Sequence, residues 1–255
     1  MQLQAVKQIL NRTPLKYLHR FYRAHRAQRS QSDECIILDR LVSQFPIPRS
    51  FVEFGFHPHE FNCVRLVKSF DGLLIDGDPE NVLAANSVLP KNVQAIKQWI
   101  KLGNLSAIEE FARGKGELGI LSIDVDGNDY WFLKALLPLR PALVVVEYNA
   151  SLGLEPLTVP YDDNFERHAK HPSGWYHGAS LSALSSLCES NGYALVEIAS
   201  EGTNAFFMRR DIFGSDGLSA EAAYRENSIR NKWSKTTAAQ QWDRIKGMPF
   251  VDVSS

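Results

Sequence analysis

Four apolar runs in this chain each end in a carboxylate: Phe51-Val52-Glu53-Phe54-Gly55, Leu73-Leu74-Ile75-Asp76-Gly77-Asp78, Leu121-Ser122-Ile123-Asp124-Val125-Asp126-Gly127 and Leu143-Val144-Val145-Val146-Glu147-Tyr148-Asn149. Continuous Val, Ile and Leu, rather than strict alternation, predicts strands buried on both faces, as in a parallel sheet covered by helices. Ligands of such sheets bind at the carboxyl ends of the strands, so the four acids are expected on one rim.

Between and beyond these runs the pattern alternates strand and helix with short connections, the sign of stacked βαβ units. Strands are predicted at Phe51 to Phe54, Gly72 to Ile75, Val93 to Ile96, Gly119 to Ile123 and Ala142 to Glu147, with a closing pair at Tyr193 to Ile198 and Ala205 to Arg209. Helices are predicted over Glu60 to Phe70, Pro79 to Ser87, Leu105 to Arg113, Asp129 to Leu137 and Ser180 to Ser190. Asp78 before Pro79 is a favourable helix start, and Asn128 is placed to cap the helix that follows it. The α/β region spans residues 49–213, with an irregular, Pro- and His-containing excursion over 150–178. Ahead of it, residues 1–48 read as a helical extension, and residues 214–255 as a polar tail, partly helical, with a helix expected around Ala220 to Trp233.

Composition narrows the partners. The 255 residues are 44% hydrophobic, enough for one sizeable core, and 28 Lys plus Arg against 29 Asp plus Glu give a net charge of -1. No global field recommends nucleic acid. The exception is local: before Asp33 the only charges are Lys7, Arg12, Lys16, Arg20, Arg23, Arg26 and Arg29. A basic amphipathic helix there suits an anionic membrane surface or an acidic partner, while the plainer expectation is a solvated helix packed by its apolar side. Cys35, Cys63 and Cys188 are odd in number and show no Cys-x-x-Cys spacing, which points to a reducing compartment and a cytoplasmic protein. No run approaches the roughly 18 apolar residues of a membrane span, and no signal peptide is evident.

Several ligand motifs are absent. Gly55 is followed by Phe56, His57, Pro58 and His59, so the Gly-x-Gly-x-x-Gly fingerprint of dinucleotide folds is missing, as is a P-loop. Asp124-Val125-Asp126-Gly127-Asn128 resembles the start of a calcium loop, but its glycine falls two positions early and Ala135 stands where a bidentate Glu belongs.

What remains is a glycine after the first strand, an acid ending the second, and acids after the fourth and fifth. In these features the chain resembles class I S-adenosylmethionine-dependent methyltransferases, specifically the FkbM-like branch. The matching elements are Val52-Glu53-Phe54-Gly55, Leu74-Ile75-Asp76, Asn86 through Asn92-Val93, Ile123-Asp124-Val125-Asp126-Gly127 and Val146-Glu147-Tyr148-Asn149, in order from about Phe51 to Arg209. The resemblance implies a doubly wound, mostly parallel seven-stranded sheet of the Rossmann-like methyltransferase kind, with an antiparallel last strand. One departure is the loop after Gly55, where His57, beside Pro58 and His59, stands at the position two places after the glycine that is often small in the family.

The resemblance further implies S-adenosylmethionine as cofactor, with Asp76 accepting from its ribose hydroxyls, Glu53 and Gly55 bordering the methionine portion, Trp99 offering an apolar face to adenine, and Asp124 facing the cofactor's amino group or the substrate. The acceptor implied is a small molecule or glycan, sugar- or glycolipid-like, methylated on oxygen. Asp124, Glu147 and Asn149 correspond to strand ends that bind a divalent cation such as magnesium in some O-methyltransferases; the alternative is that they hydrogen-bond loops across the rim. His177, beside the aromatic turn Trp175-Tyr176, is a candidate general base. The opposed expectation is a noncatalytic scaffold of the same fold that works through its basic extension.

Overall fold

The computed structural model describes residues 29–254. The basic segment ahead of Arg29, with the membrane or acidic-partner contact expected of it, lies outside the described residues. Among the described residues no helix is long and apolar enough to cross a membrane.

The strands are β1 Ser50–Phe54, β2 Asp71–Asp76, β3 Val93–Lys97, β4 Ile120–Ile123, β5 Leu143–Glu147, β6 Leu157–Thr158, β7 Tyr193–Ile198, β8 Asn204–Arg209 and β9 Val251–Asp252. Seven of them form one sheet in the order β3-β2-β1-β4-β5-β8-β7. Pairing is parallel from β3 through β5, whereas β8 runs antiparallel between β5 and β7. This is the doubly wound, Rossmann-like sheet expected, with its antiparallel last strand. The chain winds outward from β1 to β3 and then returns to place β4 beside β1. A crevice opens where the winding reverses, at the carboxyl ends of β1 and β4.

Apolar residues on both faces explain the two layers. Val52, Leu73, Leu121 and Val144 point to one core with the helices α3 Ser106–Lys115, α4 Asp129–Leu136 and α6 Leu181–Ser190. Phe51, Leu74, Ile120 and Val145 point to the other, with α1 Glu34–Gln44, the 3-10 segment Asn62–Lys68 and α2 Pro79–Asn86. Asp78 caps α2 as expected, accepting from Glu80 N at 2.8 Å.

Three local expectations are corrected. The helix expected over Glu60 to Phe70 is a 3-10 segment, with its first two N–H groups drawn to the buried carboxylate of Glu53. Asn128 begins α4 without a side-chain cap, because its amide instead holds both the N–H and the C=O of Asp162. The helix expected around Ala220 to Trp233 is two, α8 Ala220–Ala223 and α9 Ser228–Ser234, separated at Asn227, which caps α9.

The excursion over 150–178 is built rather than loose. It contains β6 and α5 Arg167–Lys170, and β6 pairs with β9 near the far end of the chain. Together with α10 Ala238–Ile245 it forms a third apolar cluster around Val159, Phe165, Trp175, Tyr176 and Ile245. The turn α7 Arg210–Phe213 leads from β8 into this carboxyl-terminal region. Tyr148 and Tyr224 stitch the parts together, donating to Arg225 O at 2.6 Å and Ala150 O at 2.8 Å.

Candidate active site

Two cavities meet at the crevice and share Gly55, Asp124 and Asp126. One, of about 220 Å³, lies under Trp99 and is bordered by Asp76, Gly77, Val125 and Phe132. The other, of about 360 Å³, is polar and bordered by Glu53, His57, Asn62, Glu147, Arg167 and Arg230. The His57 side of the bulky loop after Gly55 therefore faces the polar cavity, not the one under Trp99. His57 and Glu60 close that loop through reciprocal backbone bonds of 3.1 and 2.8 Å.

Gly55 has φ +83°, and a Cβ there would lie 1.5 Å from the carbonyl oxygen of Asp124. No side chain fits, so the ends of β1 and β4 touch through backbone alone. Glycine is thus demanded by the protein itself, before any ligand arrives.

Asp76 stands at the end of β2, half-buried at the cavity wall. One of its oxygens accepts from Asp78 N at 2.7 Å and Asn81 Nδ2 at 3.2 Å, so the carboxylate is held rigidly by the start of α2. Trp99 is 54% exposed and forms the cavity roof. Its indole donates to Asp163 O at 2.9 Å, which ties the excursion over the cavity. Gly77 makes room for this ring, since a Cβ there would meet it at 2.7 Å.

Glu53 differs from the expectation for a cofactor contact. Both of its oxygens are engaged by the backbone of the 3-10 segment, Asn62 N at 2.6 Å and Cys63 N at 2.8 Å, and it borders only the polar cavity. Burial raises its pKa to about 7 despite these two donors. Asp129 does similar local work, accepting from Val125 N and Gly127 N at 2.9 Å each, and burial raises it to about 6. It holds the tight turn in which Asp126 takes a φ of 55°.

Asp124 borders both cavities. Burial, and then the neighbouring Glu147, push it well above the usual carboxylate range. Glu147 is 9% exposed and is raised to about 8, by burial first and then by Asp126 and Asp129, with the charges of Arg230 and Arg167 opposing. The rim is thus a concentration of acids that favours either protons or a cationic ligand.

The metal set expected at Asp124, Glu147 and Asn149 is corrected. The Asn149 oxygen accepts from Arg230 at 2.7 Å and Ser151 N at 3.1 Å, while its amide donates to the carbonyls of Trp175 and His177, so no lone pair is aimed at Glu147. A different trio, Asp126, Glu147 and His177, brings its ligand atoms within 4.8 Å of one another. Asp126 there is paired to Arg167, and His177 Nε2 faces Arg230 at 2.9 Å. Neither arrangement is a good donor set for a hard cation, which requires several free oxygens.

His177 is also not the open base expected. It is fully buried and borders neither cavity. Burial, followed by the charges of Arg230 and Arg167, lowers its pKa well below the usual range. Sequence reasoning missed Arg167 and Arg230. Asp126-Gly127 carried a turn signal, but nothing in the polar pattern around Arg230 marked it as part of a site.

No family profile and no curated protein matches this sequence. Solved structures of similar chain path include the N-terminal domain of EvdMO1 with SAH bound, at 15% identity over 70% of this chain and 79% of that one, TM-score 0.44. A TehB-like SAM-dependent methyltransferase from Corynebacterium glutamicum is similar at 14% identity over 71% of this chain and 89% of that one, TM-score 0.37. An O-methyltransferase family protein from Burkholderia thailandensis is similar at 12% identity over 69% of this chain and 55% of that one, TM-score 0.41. At this level of similarity none assigns a role to a residue here.

Proposed function

We propose that this chain is an S-adenosylmethionine-dependent methyltransferase acting on a hydroxyl of a sugar or glycolipid-like acceptor. The observation that carries the reading is the pair of adjoining cavities at the sheet's switch point, one walled by an aromatic ring and a strand-end carboxylate, the other polar. Asp76 offers a fixed acceptor for a diol, and Trp99 offers a flat apolar face. The acid-rich junction at Asp124 suits a cationic group, and the polar cavity suits a hydroxylated acceptor. The bound donor supplies a methyl on a positively charged sulfur. The chain's residues orient the two reactants, exclude water under Trp99 and accept a proton; alignment carries most of the rate.

Calorimetric titration with S-adenosylhomocysteine tests this directly. Binding is expected, and absence of heat at millimolar ligand with folded protein would end the reading. Asp76→Ala should weaken binding by about 1.5 to 3 kcal/mol, the size of a lost charge-assisted hydrogen bond, or roughly ten- to hundredfold. A melting curve of the same variant separates this from loss of the α2 start, because Asp76 also accepts from Asp78 N.

A further inference from the structure

Among the described residues, two buried polar atoms in the site face each other without a hydrogen-bond partner: His177 Nδ1 and Glu147 Oε2, 3.8 Å apart. Buried polar groups are nearly always paired, so such a gap needs a cause. The other side of the ring supplies one. His177 Nε2 lies 2.9 Å from an Arg230 nitrogen. A guanidinium has donors only and keeps its charge, so Nε2 must present its lone pair and the ring proton must sit on Nδ1. Arg230 cannot swing away easily, because its second nitrogen donates to Asn149 Oδ1 at 2.7 Å and Ser151 Oγ at 2.9 Å. Asn149 is in turn fixed by the carbonyls of Trp175 and His177, at 2.7 and 2.8 Å. The ring is therefore locked in one neutral tautomer, with its N–H aimed at Glu147. That orientation also denies Nδ1 to a metal ion.

We propose that Arg230 and His177 are positioning residues that hold Glu147 as the proton acceptor of the transfer. This rests on the methyltransferase reading. In the step, the acceptor oxygen forms a bond to the methyl carbon as the carbon–sulfur bond breaks and its electron pair stays on sulfur. The hydroxyl proton passes to the Glu147 carboxylate. A sulfonium, an alcohol and a carboxylate become a thioether, an ether and a carboxylic acid, so charge and atoms balance. His177 borders neither cavity, whereas Glu147 borders the polar one, so the histidine acts through the carboxylate. The 3.8 Å separation shortens when Glu147 is charged and draws the N–H toward it, as catalytic hydrogen bonds often tighten only in the working complex. The charged groups around Glu147 are Asp124, Asp126 and Asp129 from the loop after β4, Arg167 from α5, and Arg230 from α9. Burial among these acids raises Glu147 to about 8, a range suited to a base near neutral pH.

The test is nuclear magnetic resonance on the full chain with 15N-labelled histidine and 13C-labelled glutamate carboxyls, with and without S-adenosylhomocysteine. His177 should show the neutral Nδ1–H signature throughout pH 6 to 8, and the Glu147 signal, assigned by Glu147→Gln, should titrate near 8. His177→Leu should move that midpoint up by about one pH unit, through loss of a donor to the charged form. His177→Asn, which retains an N–H near the Nδ1 position, should restore it. An Nε2–H or imidazolium signature in the unmodified protein overturns the lock, as does a Glu147 midpoint that ignores His177→Leu. Should Leu disrupt folding, the tautomer in the unmodified protein still decides. Calorimetry on the same sample separates the two levels: an Nδ1–H signature without S-adenosylhomocysteine binding retires the methyl-transfer reading, and the proposed role with it.

Discussion

Gly55→Ala is expected to lower the unfolding free energy by on the order of 4 kcal/mol, an exceptional loss for a single methyl group. Two causes add. A non-glycine residue at φ +83° is strained by roughly 1 to 2 kcal/mol. The new Cβ would also lie 1.5 Å from Asp124 O, a bonding distance, so the end of β4 must move by more than an ångström. That movement breaks the 3.1 Å bond from Asp124 N to Phe54 O, the last rung between the two strands, and overpacking of this kind typically contributes about 1 to 3 kcal/mol more. Chemical denaturation followed by circular dichroism checks it, and a loss below about 1 kcal/mol would contradict this geometry. Because Asp124 borders both cavities, S-adenosylhomocysteine binding should fall alongside stability.

Stability should also fall as pH rises, the reverse of proteins whose carboxylates are salt-bridged. Glu53 is raised from 4.5 to about 7. The folded state therefore binds this proton more tightly than the unfolded chain does. Its contribution is fully present below about 4.5, declines through the interval, and is lost above 7. The shift corresponds to roughly 3 kcal/mol across that window. Asp129 and Glu147 are raised by the same burial and have the same sign, so the complete protein should show a steeper decline than Glu53 alone would produce. Denaturation midpoints at pH 5, 6, 7 and 8 measure it, with Glu53→Gln isolating the one residue. If the Glu53→Gln curve runs parallel to that of the unmodified protein, Glu53 is not the source.

The sheet was legible because β1, β2, β4 and β5 are buried on both faces and so read as unbroken apolar runs. Their acids share a rim as expected, since each run ends where the sheet does. The duties of the acids were harder to read. Glu53 and Asp129 spend their oxygens on nearby backbone N–H groups, and whether a carboxylate meets a ligand or a neighbouring turn depends on loop geometry that periodicity does not encode. Asn128 and Asp129 illustrate this: adjacent, both suited to capping, yet Asn128 binds the excursion while Asp129 holds the turn. Arg230 was beyond reach for another reason. Its partners lie 53 to 81 residues earlier, and its own helix has no buried apolar stripe to announce where it docks.

That separation sets an order of assembly. The seven-stranded sheet has all its strands once Arg209 is made, yet the inner wall of the polar cavity waits for residue 230. At about 5 to 20 residues per second, synthesis leaves an interval of roughly one to four seconds in which Arg167 is already made beside the rim's acids and Arg230 is not. A nascent chain thus carries Glu147 on a finished strand before Arg230 arrives to fix the His177 ring, so the proton acceptor is oriented only after the sheet that bears it is made.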